Sequence, residues 1–393
     1  MLPGAAIRNV KGDREMTLLS HRCRTTRAVA FSALLLAAAV TVNAQPVILN
    51  VGGEFIDGDT IQISGNDFGS AAQVISWDDF EEGGDGATLG VPVIGPTWTF
   101  QHPSSNTPFP QYSRMQAYSG GQSAKVAWKE PGWSGYSINA FGWGSQGPFN
   151  TLYLSYMRYH DPSQNDPPPE MNHKQLYTFG PANSGNGYEQ QQFMPFMIPD
   201  GATAFATMLQ ATPADIWYWG GDPRYYNSNY SWGRWEFWLD YENTAAQNDG
   251  RFSIWYNLQQ KLDSSGLNLC DVEGGQYVED LRIGHMFQGF SALSHVRSFF
   301  DDVYVATTQA RVELGNAATY AACTRREIQV AANWSSTFIE LPLRTVSFTS
   351  GEQVFLYVID ENGDTSPGYP IELGDFGDPD PGPPGEPGQP THI

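Results

Sequence analysis

Basic residues are scarce in this chain: among 393 residues, 21 Lys and Arg stand against 42 Asp and Glu, a formal charge of −21. A surface of that sign repels nucleic acid and anionic membranes, so neither is expected as a partner. Long apolar runs are also lacking. The longest, Ala28 to Val42, spans about 15 residues, short of the roughly 20 that a spanning helix needs, so no membrane span is expected. Cysteine is limited to Cys23, Cys270 and Cys323. The sequence contains no serine elbow, zinc motif, phosphate loop or dinucleotide fingerprint, which sets aside enzymes that depend on them.

What is present begins with an address. Arg22, Arg24 and Arg27 precede the apolar run, which ends at Val42-Asn43-Ala44, so residues 1–44 read as a cleaved signal peptide, with Met16 an alternative start. The expected location is secreted, periplasmic or cell-surface. The mature chain then keeps 15 basic against 40 acidic residues. It also keeps two cysteines, which in an oxidising compartment are expected to form a Cys270 to Cys323 bridge. Such a bridge would add about 4 kcal/mol on the chain-entropy model.

Three textures follow. Residues 46–76 alternate apolar and polar positions around turn residues, a strand pair. Gly58, Ile61, Ile63, Gly65, Phe68 and Gly69 stand as in the opening of an IPT/TIG immunoglobulin-like domain, which this segment resembles. Strands similar to the rest of such a domain recur near the C-terminus, at Glu327 onward, Trp334 to Leu341 and Val354 to Ile371, with Asn362-Gly363 a hairpin signal. The resemblance implies one Ig-like domain in two pieces, residues 45–76 and 313–374, with a second domain, residues 77–312, inserted between them. A fragment of residues 77–312 is then expected to fold alone. Residues 375–393, rich in Pro, Gly and Asp, read as a disordered tail.

The inserted stretch holds 11 of the 12 tryptophans and reads throughout as strands and polar loops. Its opening Asp79-Phe80-Glu81-Glu82-Gly83, the Trp235 to Glu242 strand leading to Asp249, Gly250, Trp255 and Asn257, and the closing Asp301 to Val305 resemble the concanavalin A-like jelly roll of lectins, glucanases and some polysaccharide lyases. The fold class expected is therefore all-β: a jelly-roll sandwich inserted in a small Ig-like sandwich.

Sugar recognition needs aromatic faces and planar polar side chains. Trp217, Trp219, Tyr225 and Trp232 lie in Gly- and Asn-rich surroundings and are the expected substrate-binding aromatics. A lyase needs a proton abstractor and a cation to quench a uronate, and Arg158 and His160 share one strand face while His173, Gln175 and Tyr177, beside Lys174, share another. If those consecutive strands are neighbours, Arg158, His160, His173, Lys174 and Tyr177 line one groove. Arg282, His285, His295 and Arg297 form a second basic group.

A hydrolase would draw on Glu236, Asp240 and Glu242, whose spacing departs from the glucanase pattern and reads as a solvated strand face. Asp78, Asp79, Asp301 and Asp302 are candidate ligands for structural Ca2+ if the two ends of the insert meet. The function expected is binding of a polysaccharide or surface glycan with the Ig-like part as spacer. The alternatives are a polysaccharide lyase or glycoside hydrolase, or a purely structural or adhesive protein.

Overall fold

The computed structural model describes residues 44–101, 109–131, 139–144, 146–163, 172–179, 192–197, 205–211, 214–220, 230–241, 249–267, 278–288 and 294–374. Residues 1–43, where a signal peptide is expected, residues 375–393, Tyr225, Glu242 and Cys270 lie outside them. The protein is all-β, and among the described residues no helix is long and apolar enough to cross a membrane.

A small sandwich draws strands from both ends of the described chain. One sheet runs β1 (Val47–Gly52), β2 (Thr60–Asn66), β21 (Phe338–Pro342), β20 (Asn333–Trp334), and the other β19 (Arg326–Gln329), β18 (Arg311–Gly315), β22 (Gln353–Ile359), β23 (Tyr369–Glu372). Period-two alternation turns Ile61 and Ile63 inward, opposite Leu341 and Ile339 in register. With Phe68, Leu314, Val354 and Leu356 they form one core. Gly65 must be glycine: a Cβ there would lie 2.0 Å from the Val47 carbonyl and 2.5 Å from the Phe68 ring. At Asn362-Gly363 the chain turns, with Gly363 at φ 91° and Asp360 Oδ1 accepting the N–H of Asn362 and Asp364. Cys323 is a free, buried thiol, where a bridge was expected; its Sγ lies 3.5 Å from the Thr319 carbonyl and 3.6 Å from the Tyr357 hydroxyl.

The large sandwich stacks two antiparallel sheets. The eight-stranded sheet runs β15 (Gln259–Leu267), β14 (Gly250–Tyr256), β13 (Trp232–Asp240), β8 (Thr151–Pro162), β17 (Val296–Ala306), β6 (Ser123–Lys129), β5 (Gln111–Ser113), with β3 (Val74–Asp78) paired to β17. The seven-stranded sheet runs β12 (Ala214–Gly220), β11 (Phe205–Ala211), β10 (Gln192–Met197), β9 (Asn172–Phe179), β16 (Asp280–Gln288), β7 (Ala140–Gly142), β4 (Thr99–Gln101). Strand β3 starts before residue 77 and belongs to this sandwich, whereas β18 begins at Arg311 and belongs to the small one.

Between the sheets, Leu152, Leu154 and Tyr156 of β8 share a core with Leu176 of β9, Leu281 and Ile283 of β16 and Phe141 of β7. Phe141 sits edge-on to Trp98 at 5.1 Å, Phe300 at 5.8 Å and Phe80 at 5.9 Å between ring centroids. Such geometry suits the ring quadrupoles.

The other face of the eight-stranded sheet is covered as well. Trp77, Tyr153, Trp238 and Tyr304 pack against Ile328 of the small sandwich. The small sandwich therefore abuts the large one through a buried face.

Candidate functional site

The seven-stranded sheet has its core face fixed by Leu176, Leu281 and Ile283, so alternation places Gln175 and Tyr177 of β9 and Asp280 and Arg282 of β16 on the opposite face. Arg282 stands directly across from Tyr177 in the antiparallel register. Its guanidinium bonds Asp280 Oδ2 through Nε at 3.0 Å and Thr99 Oγ1 through Nη1 at 3.0 Å, which fixes its direction over the sheet. Gln175 and Tyr177 are both buried, and Gln175 Oε1 has no hydrogen-bond partner among the described residues. Burial pushes the Tyr177 phenol well above its ordinary range, so it stays protonated at neutral pH and acts as a donor. Gln175 and Arg282 gain weight only here. The sequence signal for Gln175 was its two-residue spacing from His173 and Tyr177, but nothing in the sequence joined Arg282 to that strand.

The expected five-residue groove does not assemble. Strands β8 and β9 follow one another in sequence yet lie in different sheets, because the chain passes from one layer to the other between them. Arg158 and His160 point from β8 into the layer between the sheets and are fully enclosed there. His160 Nδ1 lies 2.7 Å from Ser298 Oγ, and Arg158 Nε 3.3 Å from the same oxygen. Burial lowers the Arg158 guanidinium to about 10. Burial, and then the Arg158 charge, hold the His160 imidazole well below its ordinary value, hence neutral. This pair is enclosed under a packed layer, where no polymer can reach it.

His173 and Lys174 lie on β9, paired across to Met197 and Phe196 of β10. Trp217 and Trp219 lie on the edge strand β12, across from Met208 and Ala206. For these four residues the backbone is what is described. Trp232, by contrast, opens β13 in the other sheet, half-buried across from Tyr159 and 5.9 Å from the Tyr118 ring. It is therefore not a rim residue of the face that carries Tyr177.

The acidic quartet also divides. Val303 of β17 pairs with Asp78, so the two ends do meet. However, Asp301 accepts the N–H of Tyr118 and Ser119, and Asp302 is forked by Arg344. Among the described residues, the carboxylates of Asp78, Asp79 and Glu82 form a group of three with oxygens within 4.8 Å of one another, a hard-oxygen set of the kind Ca2+ takes. Within it Asp78 is already committed, accepting Trp98 Nε1–H at 2.6 Å and the Phe80 N–H at 2.8 Å. Burial, which outweighs these two bonds, pushes its carboxyl up to about 8.

Glu236 is not on a solvated strand face. The small sandwich covers it, and it joins a buried charge lattice. Arg234 Nη2 lies 3.1 Å from Glu236 Oε1 and 2.8 Å from Glu313 Oε1, while the Tyr153 hydroxyl donates to Glu236 at 2.6 Å. Arg311 bonds Glu313 at 2.7 Å and lies 4.1 Å over the Tyr153 ring. Glu236 is thus buried and paired, out of reach of a sugar, and Glu242, the third acid of the hydrolase reading, lies outside the described residues.

No family model and no curated relative matches the chain. Among solved structures, an endo-β-1,4-glucuronan lyase from the fungus Trichoderma reesei aligns with 57% of this chain and 96% of its own at 12% identity, TM-score 0.41. The cellulose-induced protein Cip1 aligns over 59% and 97% at 17% identity, TM-score 0.38. The binding domain of botulinum neurotoxin serotype D/C aligns over 76% and 73% at 7% identity, TM-score 0.39.

Proposed function

We infer that this is an exported protein that binds a polysaccharide or surface glycan on the outer face of its seven-stranded sheet, held there by Gln175, Tyr177 and Arg282. The observation that carries the reading is the meeting of an amide, a phenol and a guanidinium on one sheet face, away from the core. Planar polar groups of this kind match the paired hydroxyls of a sugar. In this reading the small sandwich braces and spaces the binding domain.

A polysaccharide lyase is the second reading, favoured by the position of Arg282 directly opposite Tyr177. The guanidinium would offset a uronate's charge, and the Tyr177 phenol would give its proton to the leaving oxygen while its own oxygen takes the proton from the carbon next to the carboxylate, so that one proton is gained and one lost. A glycan array, run beside absorbance at about 235 nm on uronate-containing polymers, separates the readings. Binding without absorbance gain supports the first and a gain abolished by Tyr177→Phe supports the second. Absence of both leaves a structural protein.

A further inference from the structure

A second cleft opens where the two sandwiches meet, far from the residues used above in sequence and lined by neither Tyr177 nor Arg282. It encloses about 320 Å3, within the size range of small-ligand sites, and such sites favour domain junctions. Its lining takes acidic residues from both sandwiches: Asp57 from the small one, Asp79 and Glu81 from the large one. The lining also includes the apolar side chains of Trp77, Val330, Pro342 and Leu343.

The only cation among the described lining residues is Arg344, and its charge is already engaged by Asp302 and by Glu327 at 2.8 Å. The cleft therefore carries a net negative field. Asp79 is half-buried, and its Oδ1, shielded from solvent, has no hydrogen-bond partner among the described residues. Asp57 Oδ1 and Glu81 Oε1 are turned to the backbone of Thr345 and of Gly121 and Gln122, which sets their carboxylates in place.

We propose that this junction cleft is a binding site for a primary ammonium carried on a compact body of sugar size, an amino sugar unit. The ammonium supplies three donors to an acceptor-rich lining, and the less polar ring face lies on Val330 and Leu343. A uronate, the ligand class that Arg282 would favour, is repelled here. The two sites thus differ in the charge of what they take, and this one does not depend on the sheet-face reading.

The test uses the full chain, ligand-observed NMR and calorimetry, with the β-1,4-linked glucosamine disaccharide as probe and cellobiose as its neutral counterpart. The expected result is saturable binding of the amino disaccharide, none of cellobiose, and weakening at about 0.5 M salt. Asp79→Asn, which keeps an acceptor but removes the charge, should weaken binding about tenfold. Glu81→Gln, at an exposed position, provides the same reading if the first variant disturbs the fold. Tyr177→Phe should leave this binding unchanged. Equal binding of cellobiose, indifference to both acidic variants, displacement of the probe by stoichiometric Ca2+, or no binding at all would each overturn the proposal.

Discussion

Arg234 of the large sandwich and Glu313 of the small one lie 2.8 Å apart in a region that solvent does not reach. Three guanidiniums, of Arg234, Arg311 and Arg326, surround Glu313, and although burial opposes it their charges hold its carboxyl well below the usual carboxylate range. Removing one member leaves the others buried and uncompensated, at a cost of about 3–5 kcal/mol. Glu313→Gln is accordingly expected to lower unfolding free energy by that amount in a urea titration. Asp263→Asn, which breaks an exposed pair with Arg251, should change it by less than about 1 kcal/mol.

His160 gives the stability a pH dependence whose sign is fixed by its surroundings. Its folded-state value is lowered, so the unfolded chain takes the proton more readily, and stability falls as pH drops through the ordinary histidine value near 6.5. Below that point the slope from this one group approaches about 1.4 kcal/mol per pH unit. Denaturant midpoints measured from pH 7 to pH 5 should fall less steeply for His160→Gln than for the natural chain. Parallel curves for the two would contradict the placement of His160 between the sheets.

Gly65 makes the small sandwich sensitive to a single methyl group. Gly65→Ala would drive a Cβ into the Val47 carbonyl and the Phe68 ring, which β1 can relieve only by separating from β2. Overpacking of this kind costs about 1–3 kcal/mol, and here more because backbone is struck. The variant should unfold at lower temperature in calorimetry, whereas Gly58→Ala, in open space at φ 85°, should lose less.

Much of the fold was legible because local chemistry and tertiary structure agree. The Ile61-x-Ile63-x-Gly65 alternation reads directly as one face of β2, and Asn257 marks the turn between β14 and β15, where Asn257 and Leu258 both take positive φ. Alternation also paired Arg158 with His160 and Gln175 with Tyr177. What it cannot tell is which face another layer will cover. Glu236 alternates with Trp238 and Asp240 as a solvated face would, yet a third layer, the small sandwich, closes over it.

Sheet membership is likewise a long-range property. Strand β8 finds β13 and β17, and β9 finds β10 and β16, so two consecutive strands that looked like neighbours carry their basic residues into different places. The junction lattice was the largest omission, since Arg234, Glu313 and Arg326 are far apart in sequence and no motif joins them.

The central claim is that a glycan lies on the outer face of the seven-stranded sheet, over Gln175, Tyr177 and Arg282. The most direct measurement is calorimetric titration of the natural chain, Tyr177→Phe and Arg282→Ala with a polysaccharide selected on the glycan array. Loss of a hydrogen bond to a charged group at this face should weaken binding by about 1.5–3 kcal/mol for Arg282→Ala, and loss of a neutral one by about 1 kcal/mol for Tyr177→Phe. Melting temperatures should stay close to that of the natural chain. Undiminished affinity in both variants, with the fold intact, would contradict the claim.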